Sequence, residues 1–247
     1  MPTLRKGDKG EDVKELQLAL NEAGFDCGKV DGIFGGKTKA AVKEYQKAHG
    51  LKVDGIVGRQ TWASLGFIDP TPEPVQPPNF KQYDSRWASK MYSNHNDKKQ
   101  TMKSSGCGPT AMADIVAAWW DKDCTPWDLA QKSMAWGTRT YDSGTSSTFF
   151  RKCADLYKAA KYQTSSSIDA AINCLDSGGY VVVCFGPGKK GEAGYQKFTK
   201  GGHYCCLWKY ADNTFYVNDP ASASSSRTKA TMAEMKNCRK GFYMFWR

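Results

Sequence analysis

The stretch Gly106-Cys107-Gly108-Pro109-Thr110, followed by Ala111-Met112-Ala113-Asp114-Ile115-Val116-Ala117-Ala118-Trp119-Trp120, decides how the rest of the chain is read. Pro109 fixes φ at a value suited to the first turn of a helix, and the Ala/Met/Ile/Val spacing continues that helix. Cys107 is therefore expected at a helix N-terminus. Unpaired N–H groups there carry partial positive charge, which favours thiolate over thiol, the more so beside an imidazolium. The spacing predicts an activated nucleophile, with Gly106 and Gly108 leaving the sulfur unscreened for close approach by a carbonyl.

Downstream, helical stretches are expected around Trp127 to Trp136, Thr148 to Lys161 and Ile168 to Asp176. Strands follow. Tyr180 to Phe185 is rich in β-branched and aromatic residues and stops at Gly186-Pro187-Gly188; Phe242 to Trp246 would finish the sheet. His203 to Tyr210 and Thr214 to Asp219 flank Ala211-Asp212-Asn213, a hairpin turn. Helices first and antiparallel strands after is α+β order.

A turn centred on Asp212 makes His203 and Asp219 near neighbours across the two strands. A carboxylate beside one ring nitrogen fixes the tautomer and supports the imidazolium, leaving the other nitrogen to face a thiol. The chain has three histidines. His49 lies in the N-terminal repeat described next and His95 in a polar loop with Asn94 and Asn96, which leaves His203 as the candidate base. Trp119, Trp120, Trp127, Trp136 and Trp208 are read as core residues rather than as a cleft lining.

Upstream, Val30-Asp31-Gly32-Ile33-Phe34-Gly35 recurs as Val53-Asp54-Gly55-Ile56-Val57-Gly58, each copy leading into a helix-compatible segment with a threonine at Thr38 or Thr61. The Asp-Gly pairs supply tight turns, while Val13, Leu16, Gln17, Leu20 and Val42, Tyr45, Gln46 mark the inward faces of two helices. Ile68-Asp69-Pro70-Thr71-Pro72-Glu73-Pro74-Val75-Gln76-Pro77-Pro78 is too rich in proline for helix or inner strand and reads as an extended polyproline II linker. The expected division is thus residues 1–67, a linker at 68–79, and residues 80–247.

At 247 residues the chain suits two domains, and 40% hydrophobic with 24% charged residues is ordinary for a globular protein. No apolar run approaches the roughly 20 residues needed to span a bilayer, so membrane insertion is not expected. Met1 to Gly7 has no apolar h-region, which argues against a signal peptide and for synthesis in a cytoplasm. A net charge of +10 implies attraction to an anionic surface. The lysines are scattered rather than gathered into an aromatic-interleaved stripe, so no nucleic-acid partner is expected. Nine cysteines without a Cys-x-x-Cys pair fit neither a complete disulfide framework nor a tetrahedral zinc site; most read as small buried apolar residues, and no metal or cofactor is expected.

Two resemblances follow. Leu4-x-x-Gly7-x-x-Gly10-x-x-Val13-x-x-Leu16-Gln17, then Asp31-Gly32-x-Phe34-Gly35-x-x-Thr38-x-x-Ala41-Val42-x-x-Tyr45-Gln46, resembles the small three-helix peptidoglycan-binding domain of bacterial and phage wall hydrolases over residues 4–66. It implies a wall-targeting module whose partner is bacterial peptidoglycan. Phe80 to Trp87, Gly106 to Ala113, Gly201-Gly202-His203-Tyr204 and Asn218-Asp219-Pro220 together look like the papain-like cysteine peptidases related to bacteriocin-leader-processing peptidases.

This second resemblance implies Cys107 as nucleophile, His203 as general base and acid, and Asp219 as the residue orienting the histidine. It also implies a glutamine ahead of the cysteine that donates to the oxyanion, worth about 3 kcal/mol of transition-state stabilisation. Gln82 matches that position best and Gln100 is its rival, with the Cys107 backbone N–H as second donor. Taken together, the expectation is an endolysin-like wall hydrolase made in the host cytoplasm and cutting a peptide bond. Amide cleavage between sugar and stem peptide, a leader peptidase, and a binding protein without activity are the alternatives. Oligomeric state is left open.

Overall fold

The computed structural model describes residues 1–67, 75–141 and 144–247. The expected polyproline segment from Ile68 to Pro74 lies outside the described residues. The chain divides into two compact units, Met1–Glu73 and Pro74–Arg247.

The first unit is helical: α1 (Glu11–Glu22), α2 (Gly36–Ala48) and a short α3 (Arg59–Ser64). Val13, Leu16 and Leu20 of α1 meet Ala41, Val42 and Tyr45 of α2, and Leu4, Phe34, Val57 and Trp62 complete one small core. The repeat seen in sequence is a repeat of hydrogen bonds. Buried Gln17 donates from Nε2 to Asp31 Oδ1 (3.0 Å), Ile33 O (3.2 Å) and Thr38 Oγ1 (3.2 Å), and its Oε1 accepts from Gly32 N (2.9 Å). Gln46 does the same with Asp54 (3.1 Å), Ile56 (2.9 Å), Thr61 (3.3 Å) and Gly55 N (2.9 Å). Gly32 and Gly55 each adopt φ of 71°, a left-handed conformation that a side chain would strain.

The second unit opens with α4 (Met102–Ser105), α5 (Cys107–Trp119), α6 (Pro126–Ala135) and α7 (Thr148–Leu156). It continues through β1 (Lys161–Ser165), α8 (Ile168–Asp176), β2 (Tyr180–Phe185), β3 (His203–Ala211), β4 (Thr214–Asn218), a 3-10 turn (Ser225–Arg227), β5 (Lys229–Thr231), α9 (Met232–Cys238) and β6 (Arg239–Trp246). The six strands form one antiparallel sheet in the order β1-β6-β2-β3-β4-β5. Alternation along the strands feeds two cores. Val181, Val183, Cys205, Leu207, Phe215 and Val217 pack with α8 and α9, while Val182, Cys206 and Phe245 pack with α5 and α7.

The helix expected from Thr148 to Lys161 ends at Leu156, and Lys161 instead opens β1. Lys158 takes φ of 51°, which breaks the helix, and the chain then pairs with β6, a long-range partner that local periodicity does not reveal. β5 and α9 were likewise not expected from the sequence. Trp119, Trp120, Trp136 and Trp208 are half-buried against the α5–α7 core, and Trp127 packs on Trp87, Tyr92, Met102 and Ala130. Of the nine free cysteines, Cys107 and Cys184 are partly exposed and the others are buried.

Residues 75–79, expected in the linker, are bound into the second unit. Tyr180 Oη donates to Val75 O (2.8 Å), Gln76 Nε2 donates to Asn218 Oδ1 (3.0 Å), and Asn218 Nδ2 donates to Pro77 O (3.3 Å) and Pro78 O (3.1 Å).

Candidate active site

Cys107 is the first residue of α5, with Gly106 at the N-cap between α4 and α5. The two glycines beside it also have a role that was not expected. A Cβ on Gly106 would come within 2.6 Å of Met102 O, and one on Gly108 within 2.6 Å of Thr145 Oγ1. Both are buried, so they let the helix start press against its surroundings, while residue 107 between them is partly exposed.

His203 opens β3 and Asp219 follows the last residue of β4. Asp212 and Asn213 form a two-residue turn with φ of 50° and 57°, the geometry of a tight hairpin. The ladder begins at Ala211 with Thr214 and shifts by one residue between Leu207 and Lys209, leaving an extra residue at Trp208. Had the turn's register run on unbroken, Asp219 would stand opposite Cys206 and face away from His203. The bulge puts it opposite Cys205, on the face of His203, because a one-residue slip exchanges faces. His203 Nε2 accordingly donates to Asp219 Oδ1 at 2.8 Å, with both side chains buried.

With Nε2 committed to the carboxylate, the nitrogen left for the sulfur is Nδ1, and the Cys107 thiol and the His203 side chain are close enough to favour each other's charged form. Burial by itself would raise the thiol's pKa; the imidazole and the N–H groups of Tyr204 and Gly108 outweigh it and hold Cys107 below the ordinary thiol value. Burial pulls against the imidazolium, while Cys205, Asp219 and Cys107 favour it, and His203 stands well above the ordinary value. Burial pushes the thiol of Cys205 up to about 12, so that sulfur is neutral near pH 7 and Asp219 is the lasting anion. Asp219 in turn resists burial through His203, Arg227 and the Ala221 N–H, and lies below the ordinary carboxylate range.

Gln82 is brought to this centre. Its backbone N–H donates to Pro220 O (2.9 Å), next to Asp219, and its Nε2 donates to Lys103 O (2.6 Å) in α4, just ahead of Cys107. One Nε2 hydrogen is thereby used and a second is available; Oε1 is buried without a partner among the described residues. Gln100 is committed elsewhere. Its Oε1 accepts from Arg139 and its Nε2 donates to Asp97 Oδ2 (3.1 Å). His49 stacks on Tyr45 at 4.0 Å and His95 packs at 4.0 Å against Tyr141.

Four neighbours of the site escaped the sequence reading. Cys205 has the period-two spacing from His203 that could have revealed it. Lys81, in a quoted block but given no role, donates to Asn79 Oδ1 (2.7 Å), Asp219 O (2.7 Å) and Ser222 O (2.9 Å). Asn218 lies near buried Asp114 of α5, its Nδ2 3.4 Å from Oδ2, and Asp114 Oδ1 accepts from Phe80 N (2.9 Å). Arg227, in a serine-rich loop with no local signal, brings Nε to 2.6 Å from Asp219 Oδ2. Donor atoms of His203, Cys205 and Asp219 lie within 4.8 Å of one another, the spacing of a metal-ligand set. The carboxylate already meets the Arg227 guanidinium, and a cation of the metal's charge would be placed against it, so the donor set does not favour a metal.

A helical repeat unit followed by an α+β unit that gathers thiol, imidazole and carboxylate at one end of a sheet defines a modular protein with a peptidase-like domain. Residues 79–247 match the Peptidase_C39 like family, and the chain belongs to it. Residues 9–65 match the peptidoglycan binding domain family. The spore cortex-lytic enzyme of Bacillus cereus is 48% identical over 58 residues, 24% of this chain and 22% of that protein. The N-acetylmuramoyl-L-alanine amidase CwlM of Mycobacterium tuberculosis is 48% identical over 59 residues, 24% of this chain and 14% of its own length. The chain thus spans less than a quarter of either relative, and these likenesses to wall-lytic enzymes cover the binding unit. Among solved structures, a C39-like peptidase from Bacillus anthracis is similar over 58% of this chain and 90% of its own, with a TM-score of 0.43 and 14% identity. No helix among the described residues is long and apolar enough to cross a membrane.

Proposed function

We propose that this chain is an endolysin-like peptidoglycan hydrolase that cuts a peptide bond in bacterial wall peptides. Residues 1–67 act as the wall-binding domain and 80–247 as the cysteine peptidase domain, joined by a linker at 68–79 whose last residues, 75–79, are held against the peptidase domain. Attachment through the first raises the local substrate concentration for the second. The observation that carries this reading is an imidazole held between a buried carboxylate at 2.8 Å and a helix-terminal thiol, in a chain that also matches a peptidoglycan-binding family.

The Cys107 thiolate attacks the carbonyl carbon, and the oxyanion formed takes hydrogen bonds from the Cys107 N–H, a first-turn donor without an intrahelical partner, and from the free Nε2 hydrogen of Gln82. His203 gives its Nδ1 proton to the leaving amine, and a thioester remains. A water deprotonated by His203 then attacks the thioester, releasing the acid and restoring the thiolate. Asp219 holds the imidazole by Nε2 throughout and stabilises its charged form.

Digestion of chemically defined peptidoglycan, followed by mass spectrometry of the products, tests the proposal. Peptide-bond fragments from the parent protein, unaffected by chelator and absent with Cys107→Ala or a thiol alkylator, are expected. Products cut between sugar and stem peptide would reassign it as an amidase. Wall lysis that persists with Cys107→Ala would overturn the thiol mechanism.

A further inference from the structure

We propose that Arg227 is a positioning residue for the Cys107, His203 and Asp219 centre, clamping the carboxylate from the side opposite the imidazole. The inference rests on the catalytic reading above. Asp219 is 2% exposed, and its Oδ1 is occupied by His203 Nε2 and by the Ala221 N–H, each at 2.8 Å. Oδ2 meets Arg227 Nε at 2.6 Å as an ion pair too poorly aligned to count as a hydrogen bond.

Arg227 closes a ring of contacts. Its Nη2 donates to Phe198 O (2.5 Å), and its guanidinium lies 5.9 Å from the Phe198 ring centroid. That ring stacks on Phe185 at 4.1 Å and 5°. Phe185 ends β2 and is the ladder partner of His203, which bonds Asp219, which pairs with Arg227. Every member is held from two sides. The long connection before β3 is thus tied to the acid that orients the base, through a residue 24 positions beyond His203 in sequence.

Charge gives the clamp a readable signature. The groups around the His203 and Asp219 pair are Arg227 from the 3-10 turn, Lys81 from the opening segment, Cys205 from β3, Cys107 from α5 and Cys184 from β2. A guanidinium beside them favours the thiolate and disfavours the imidazolium. Removing it should move the titrations of both Cys107 and His203 to higher pH, whereas loss of packing alone would lower stability and leave them in place.

The test uses the full chain with Arg227→Gln and Arg227→Lys. The rate of iodoacetamide alkylation at Cys107, read by peptide mass spectrometry across pH, is measured beside thermal unfolding, and needs no substrate. Arg227→Gln should shift the alkylation midpoint upward by about one pH unit; Arg227→Lys should restore the midpoint but not the full rate. A folded Gln variant with the parent profile, or a Lys variant indistinguishable from Gln, overturns the proposal. Should Arg227→Gln fail to fold, Arg227→Lys decides: a parent-like midpoint with a slower rate supports the clamp, and an unchanged rate overturns it. A parent Cys107 no more reactive at neutral pH than an ordinary thiol would overturn the catalytic reading as well, so the two failures are distinct.

Discussion

The buried glutamines of the first unit and the buried site of the second use polar side chains to opposite ends, although the first unit also buries Arg59 Nε without a partner among the described residues. In the first, both the amino group and the oxygen of the Gln17 and Gln46 carboxamides are engaged by an Asp-Gly turn and a threonine. In the second, Gln82 Oε1, Asp219 Oδ2 and Arg227 Nε are buried without an aligned hydrogen bond among the described residues. A saturated network stiffens a turn and has nothing left to offer a ligand. An unsaturated one costs stability, and such groups persist where the site uses them.

The largest expected effect breaks the second network. Cys107→Ala should lower turnover at least about ten-thousand-fold, and Asp219→Asn by about a hundredfold or more, measured on defined wall peptides. Thermal unfolding should change far less for Cys107→Ala, since residue 107 is partly exposed and only one heavy atom is removed. A parent-like rate for Cys107→Ala would remove the nucleophile, and one for Asp219→Asn would show that the unsaturated carboxylate is not used in catalysis.

Next comes the glutamine pair within that unit. Gln82→Ala should cost about a hundredfold in kcat with little change in KM, as for loss of one oxyanion donor. Gln100→Ala should leave turnover intact and cost about 1–3 kcal/mol of stability, because buried Arg139 loses an acceptor. Reversal of these outcomes in steady-state kinetics would exchange their roles.

Gln17→Ala and Gln46→Ala sharpen the contrast from the other side. Each strands a turn N–H and several acceptors, so the first unit should lose about 2–3 kcal/mol in denaturant titration. Alkylation of Cys107 should not change. A shift in both would mean that the two networks are not independent.

The smallest effects are those of pH. With Cys107 lowered and His203 raised, activity should fall as pH drops through the thiol's depressed value and as it rises through the imidazole's elevated one. Asp219 and Asp114 act on stability with opposite signs. Asp219, held below the carboxylate range, contributes stability present above its unfolded value and lost as pH falls through the folded one. Asp114, which burial raises well above that range, holds its proton more tightly in the fold than in the unfolded chain, so its contribution is lost as pH climbs from the unfolded value towards the folded one. The melting temperature of Asp114→Asn relative to the parent should therefore rise from pH 4 to pH 8; a flat difference would mean that Asp114 is ionised in the fold.

Much of this was legible because local chemistry dictated it. Pro109 and the apolar spacing after it set where α5 starts, the two Asp-Gly copies announced the repeat, and Asp212-Asn213 announced the hairpin that brings His203 towards Asp219. Gln82 was recognised from its block rather than derived. The reason given for Gly106 and Gly108 was incomplete, since the Met102 and Thr145 atoms that exclude a Cβ come from outside the pentad. β1 is not legible locally because its partner, β6, lies about eighty residues away; the expected helix overlaps it only at Lys161.

By itself, then, the amino-acid order determined most of the longer elements, the repeat, and the residue types that meet across one hairpin, since turns, caps and periodicity act over a few residues; β1, β5 and α9 were not among them. Tertiary structure alone decided that the ladder slips at Trp208, putting Asp219 on the face of His203, and that Arg227 and Lys81 converge on the same acid. The physical reason is that a one-residue shift costs little locally yet exchanges the two faces of a strand, so packing of the whole sheet must choose it.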